Sequence, residues 1–305
     1  MRNIIVVGSI NMDVVSSVEQ FPKPGETIHA RGAAFHPGGK GANQAVASSL
    51  AGASTVMVGA VGSDAFGEPL LQSLKQYGVG TDEISVVQGI SGMAFITVSA
   101  NGENQIVLCE GANALVDWTL VGRSAESWSK DTVILLQNEI PWATNQAVLN
   151  HASKTGARVF YNPAPAAPVP DESLPFVHTI ILNETETETI TGIRPDDDSG
   201  LEEAASGLLQ KGVEAAIITL GAEGCFYADR SGRRHRIPAF RVSPVDTTAA
   251  GDTFIGAYAA ASLNGIEPAE ALRFASAASA IGVTRAGAQT SVPTRSEIEA
   301  FLQSH

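Results

Sequence analysis

The sequence predicts an α/β protein: a three-layer α/β/α sandwich with a mostly parallel central sheet and a small antiparallel β lid. Three observations carry that expectation. Short β-branched runs alternate with Ala-rich helical segments through most of the 305 residues. The runs are apolar on both faces, as parallel strands are when helices cover each side of a sheet. Two regions break the rhythm, with strand-like alternation and no helical pattern inside them.

Strand candidates are residues 4–8, 55–61, 132–137, 158–162, 179–183 and 215–219, most of them followed by a helical pattern. Strand, helix and parallel strand joined by right-handed crossovers account for that order. The exceptions are residues 13–35, with a turn at Lys23-Pro24-Gly25, and residues 92–109, with a turn at Asn101-Gly102. They should pair as a small antiparallel sheet. Both regions branch off near the first strands of the main sheet, so the small sheet should hang over one edge as a lid. Its apolar face, near Phe95, Ile96 and Val98, lacks a helix to cover it, and a second copy of the chain would serve, which predicts a homodimer. Residues 1–305 read as one α/β domain carrying this lid. The acidic run Asp196-Asp197-Asp198 should cap a helix beginning near Gly200.

Composition narrows the class. The chain is 44% apolar and 17% charged, ordinary for a globular protein. A net charge of −13 argues against a nucleic-acid partner, because counterion release needs clustered Lys and Arg. Small phosphorylated ligands stay possible, since local N–H nests and a bound cation act at short range. The longest apolar runs are too short to span a bilayer, and Met1 leads almost directly into a strand-like run, so neither membrane insertion nor export is expected. Cys109 and Cys225 form no C-x-x-C, and the six histidines are scattered singly, so no disulfide framework or zinc site is expected and a cytoplasmic location is.

The most informative stretch is D-T-T-A-A-G-D-T-F, Asp246 to Phe254. Four small residues, Thr248, Ala249, Ala250 and Gly251, precede an apolar helical segment at 253–263, so their backbone N–H groups should project from a helix N-terminus as an anion site. Asp252 shares that turn and can take a proton from a hydroxyl while the amides hold charge on a transferring phosphoryl group. A second block, Gly38-Gly39-Lys40-Gly41-Ala42-Asn43-Gln44-Ala45, is a Gly-rich turn entering a helix that runs to about Ala51. Its glycines allow close backbone approach to a ligand, and Asn43 can bond a hydroxyl. It is not a Walker A loop, because Ala34 and Gly41 stand where that motif needs Gly and Ser or Thr. Gly8-Ser9-Ile10 lacks G-x-G-x-x-G, so NAD is not indicated.

G-G-K-G-A-N near the N-terminus and D-T-T-A-A-G-D near the C-terminus resemble the two signatures of the ribokinase family of carbohydrate kinases. The resemblance covers the whole chain, with Gly8-Ser9-Ile10-Asn11-Met12-Asp13, Gln137-Asn138-Glu139, Asn162-Pro163-Ala164, Asn183-Glu184-Thr185-Glu186, Thr219 to Gly224 and Thr284 to Gln289 in register. It implies ATP-dependent phosphorylation of D-ribose at O5. The alternatives are another sugar or nucleoside kinase of the family, such as a deoxyribokinase or fructokinase, or a catalytically inactive sugar-binding regulator. Deoxyribokinases carry an apolar residue where Asn11 lies, and an inactive relative should have lost Asp252 or Gly251; neither departure is present.

By matching position, the resemblance makes Asp252 the base and Gly251 with its neighbours the anion hole. Asn11, Asp13, Gly39, Lys40, Asn43 and Glu139 correspond to sugar contacts. Asn183 would face the ATP phosphates and Glu186 would help hold magnesium through water. Thr219, Gly221, Gly224 and Ser276 fall on the nucleotide side, although relatives often carry a larger polar residue at the position of Ser276. An activating potassium ion is implied beside the anion hole, at Asp246, Thr248, Gly282, Arg285, Gly287 and Ser291.

Overall fold

The computed structural model describes residues 3–305. In chain order its elements are β1 (Asn3–Val7), β2 (Asn11–Ser17), β3 (Gly32–Gly38), α1 (Lys40–Leu50), β4 (Thr55–Gly62), α2 (Gly67–Gln76), β5 (Ile84–Val87), β6 (Gly92–Val98) and β7 (Asn104–Cys109). Then follow α3 (Trp118–Ala125), β8 (Thr132–Leu136), α4 (Trp142–Thr155), β9 (Arg158–Tyr161), β10 (Thr179–Leu182), α5 (Glu184–Thr191), α6 (Asp198–Gln210) and β11 (Ala215–Thr219). The chain closes with β12 (Cys225–Asp229), β13 (Arg234–Ile237), α7 (Ala250–Leu263), α8 (Pro268–Val283) and α9 (Arg295–Ser304).

The main sheet runs β13-β12-β11-β10-β9-β8-β1-β4-β5. Pairing is parallel from β11 through β5, and β12 and β13 add an antiparallel edge. All six strands expected from the sequence are present. Alternation along β1 explains why they read as continuous apolar runs. Ile4 and Val6 enter one core with α1, α7 and α8, while Ile5 and Val7 enter the other with α3, α4 and α6. The strands β5, β12 and β13 escape the pattern because all are short, and β5 and β13 are in addition only partly buried.

The second sheet has the order β3-β2-β6-β7 and arises from the two predicted regions. Its hairpins β2–β3 and β6–β7 are antiparallel, but β2 and β6 pair in parallel. Its strands also reach beyond 13–35, to Asn11 and Gly38, so Asn11 and Asp13 are part of the lid. Val14 sits beside Phe35 and Phe95, and Phe95 beside Val107, giving an exposed apolar row. Ile96 and Val98, expected on the face of Phe95, pair with Val15 and Ser17 and so lie on the opposite side, shared with Asn11 and Asp13.

One contact between helices brings the two sequence motifs together. A Cβ on Gly256 would stand 2.5 Å from Ala47 Cβ and 2.7 Å from the Gln44 carbonyl oxygen, so only glycine lets α7 press so closely on α1. The start of α7 therefore lies against the start of α1, which joins the two motifs read from the sequence. Asp197 caps α6 by accepting from Gly200 N–H at 2.8 Å, as the acidic run suggested.

Candidate active site

The start of α7 is strained and open. Ala249 precedes it with φ 58°, the one non-glycine in the left-handed region among the described residues. Ala250 N–H already donates to Thr247 O at 3.2 Å, and Thr253 N–H closes the first turn onto Ala249 O at 2.8 Å. Of the first-turn donors, those of Gly251 and Asp252 meet no protein acceptor among the described residues. Space in front of Gly251 is free, since a Cβ there would meet nothing within 4 Å.

Both oxygens of Asp252 are held from α1. Asn43 Nδ2 donates to Oδ2 at 3.1 Å, and Gln44 Nε2 donates to Oδ1 at 3.0 Å. Gln44 is itself oriented by Gln137 Nε2, which donates to Gln44 Oε1 at 2.7 Å, and Asn145 Nδ2 fastens the Gln137 carbonyl at 2.7 Å. Burial raises the pKa of Asp252, and the charge of Lys40 and the amides of Gln44 and Asn43 oppose that rise. Lys40 is a cation among carboxylates. Burial works against its charge, but Asp252, Glu139, Glu186 and Asp13 outweigh it and raise its pKa.

The expected sugar contacts converge beneath the lid. Gly39, with φ 91°, turns the chain so tightly that a Cβ would sit 2.7 Å from Asn11 N. Glu139 accepts from Ser9 Oγ and, at 3.2 Å, from Lys40 N–H, which locks the loop after β8 to the Gly-rich turn. Asp13 is buried beside Gly38, and its pKa is pushed up to about 7 by burial first, then by Glu139 and Asp252, with Lys40 offsetting part. Asn138, between the two residues of its motif, turns away and bonds Tyr161 and the Pro165 carbonyl. Met12 likewise turns into the core.

A cleft of about 210 Å³ opens from Asp252 past Lys40 to Asn183, Glu186 and Thr219. Asn183 caps α5 in a reciprocal box: its Oδ1 accepts from Glu186 N–H at 2.8 Å, and Glu186 Oε2 accepts from Asn183 N–H at 2.9 Å. Asn162 Nδ2 adds a third bond to Glu186 at 3.2 Å, and burial raises the Glu186 pKa against these donors. Gly221 and Gly224 shape the turn after β11. The close approach at Gly224 is to the chain itself, where a Cβ would lie 2.0 Å from Ile237 O. Ser276 is buried on α8 and bonds the Cys225 thiol.

The loop before α7 is tied to the segment after α8. Asp246 accepts from Thr248 N–H at 2.9 Å, from Thr248 Oγ1 at 2.6 Å and from Gly287 N–H at 2.9 Å. Burial disfavours its charge, but the Thr248 and Gly287 donors and the nearby His36 prevail and hold its pKa low. Gly282 lies against both Ser291 and Thr253, and its carbonyl accepts from Arg285 N–H at 3.0 Å. Arg285 turns its guanidinium to Glu297 at 2.6 Å.

Ser9, Gln44, Asn113 and Asn162 also belong to the site, and the sequence reading gave them no role. Ser9, Gln44 and Asn162 stand inside quoted motifs, but the partners that define them are 24 to 208 residues away. Asn113 bonds Asn11 from 102 residues away and lies in no motif singled out.

A model of the pfkB family of carbohydrate kinases matches residues 1–295. The ribokinase of Haemophilus influenzae is 42% identical over 303 residues, 99% of each chain. That of Schizosaccharomyces pombe is 40% identical over 310 residues, covering 98% of this chain and 97% of the relative. The structure of Arabidopsis thaliana ribokinase complexed with ribose and ATP superposes with a TM-score of 0.91 at 31% identity, over 99% of each chain. With family model, relatives and fold in agreement over nearly the full length, the chain belongs to the pfkB family of carbohydrate kinases.

Proposed function

We propose that this protein phosphorylates D-ribose at O5 with ATP, giving ribose 5-phosphate and ADP. The observation that carries the reading is Asp252, gripped through both oxygens at a helix N-terminus and lining a cleft that runs past Lys40 to Asn183 and Glu186. Asp252 takes the proton of the 5-hydroxyl as O5 forms its bond to the γ-phosphorus and the bond to the ADP oxygen breaks. The Gly251 and Asp252 N–H groups receive the charge carried on the phosphoryl oxygens, with Ala249 and Ala250 shaping the turn that aims them. Lys40 lies between the carboxylates of both subsites, so its ammonium can follow the phosphoryl group between donor and acceptor.

Asn11, Asp13, Gly39, Asn43 and Glu139 hold the sugar hydroxyls in this reading. Asn183, Thr219, Gly221, Gly224 and Ser276 line the nucleotide side. Magnesium, when bound, neutralises phosphate charge. Glu186, held in place by Asn183 and Asn162, would help hold the ion through water. The ionised Asp246 and the adjoining carbonyl-rich segment suit a monovalent cation such as potassium, with Thr248, Gly282, Arg285, Gly287 and Ser291 around it.

The lid row of Phe35, Phe95 and Val107 supports pairing with a second copy, and a dimer by light scattering at micromolar concentration is the expected result. The compartment that goes with an ATP-consuming enzyme carrying two unpaired cysteines is the cytoplasm. Among the described residues no helix is long and apolar enough to cross a membrane. A coupled ADP-release assay across a panel of free pentoses and hexoses tests the reading. D-ribose should give the highest kcat/KM, and a higher value with another sugar would replace ribose as the substrate.

A further inference from the structure

Asn113 sits in the short turn after the lid, 2% exposed, where the lid strands leave the main sheet. Its Oδ1 accepts from Ile10 N–H at 2.9 Å, and its Nδ2 faces Ile10 O at 3.4 Å. A backbone N–H can only donate and a carbonyl can only accept, so the two ends of the Asn113 amide are fixed. Its Nδ2 then donates to Asn11 Oδ1 at 2.7 Å. Gly92 makes room for the pair, since a Cβ there would lie 2.1 Å from Asn113 Nδ2 and 2.3 Å from Asn11 Oδ1.

The consequence falls on Asn11. Its oxygen is committed to Asn113, so its Nδ2 is the end left to act as a donor. Asp13 stands two residues along on the same face of β2, and as a carboxylate it can only accept. A hydroxyl has one proton. A sugar hydroxyl bridging the two residues must give that proton to Asp13 and accept from Asn11, and the opposite orientation of Asn11 would demand two protons from one hydroxyl.

We propose that Asn113 is a positioning residue that sets sugar specificity, by fixing Asn11 as a hydrogen-bond donor to a hydroxyl that ribose has and 2-deoxyribose lacks. The inference rests on the sugar-kinase reading above. Asn113 does not touch the substrate, so its removal should act on one sugar and not the other. In Asn113→Ala the KM and the dissociation constant for D-ribose should rise about tenfold. For 2-deoxyribose both should change less than about threefold, and the KM for ATP should stay within about twofold. A purely structural role would weaken both sugars alike. Should Asn113→Ala not fold, Asn113→Asp keeps the acceptor for Ile10 N–H and, when ionised, loses the donor to Asn11, so the same ratio is read there at pH 8.

A double-mutant cycle completes the test: in an Asn11→Ala background, Asn113→Ala should leave the ratio of the two sugars unchanged. An unaltered ratio in the single variant, or the same change with Asn11 already removed, would overturn the assignment. Dissociation constants from calorimetry without nucleotide keep the test separate from turnover, so a wild-type enzyme that binds ribose but fails to phosphorylate it would count against the proposed reaction alone.

Discussion

Gln44 donates from Nε2 to Oδ1 of Asp252 at 3.0 Å, and both side chains are buried. The bond ties the second turn-forming motif to the first and leaves the carboxylate little rotational freedom. Gln137 fixes the Gln44 amide in turn, so three elements, α1, α7 and the end of β8, agree on one orientation. Preorganisation of this kind matters most where phosphoryl transfer is chiefly a matter of positioning.

Gln44→Ala should therefore lower kcat by about tenfold to a hundredfold while the KM values for ribose and ATP stay within about threefold, because Asn43 still holds one oxygen of Asp252. Steady-state kinetics decide it. A changed KM with normal kcat would mean that Gln44 serves binding and not the base.

Asp13 gives the folded protein a pH signature. Its pKa is about 7 in the folded protein against the ordinary 3.8 of an aspartate, so the folded state holds this proton more tightly. Stability from the group is fully present below the unfolded pKa and is lost as pH rises through about 7. Between pH 5 and pH 8, wild type should lose about 2–3 kcal/mol relative to Asp13→Asn. Urea unfolding of both proteins at the two pH values measures this, and parallel pH profiles would assign the charge burden elsewhere.

Potassium should raise kcat several-fold over sodium or tetramethylammonium at equal ionic strength, since the Asp246 loop leads directly into the strained Ala249 and the open amides of α7. Asp246→Asn should abolish the difference. Equal rates in the three salts would argue against a cation at this loop.

Legibility in the sequence followed burial. Strands such as β8, Thr132–Leu136, are buried on both faces and announce themselves as apolar runs. The edge strand β13, Arg-His-Arg-Ile, is itself partly exposed and has too little apolar content to be seen. Within the site, Asp252 and Asn43 stand out because each lies in a compact motif whose local pattern suggests chemistry, whereas Lys40 is assigned by resemblance. Gln44, Asn113 and Asn162 do not stand out, because their meaning lies in bonds to residues distant in sequence. Ser276 was placed beside the nucleotide by position alone, and its side chain meets the Cys225 thiol.

Single-turnover phosphorylation of D-ribose by Asp252→Asn, alongside calorimetric binding of ribose, tests the central claim most directly. The amide preserves the size of the side chain but cannot take the proton from O5. Turnover should fall by about two to four orders of magnitude, the usual worth of a positioned general base, with ribose affinity nearly unchanged. A variant that binds ribose and phosphorylates it at close to the wild-type rate would contradict the assignment of Asp252 as the base.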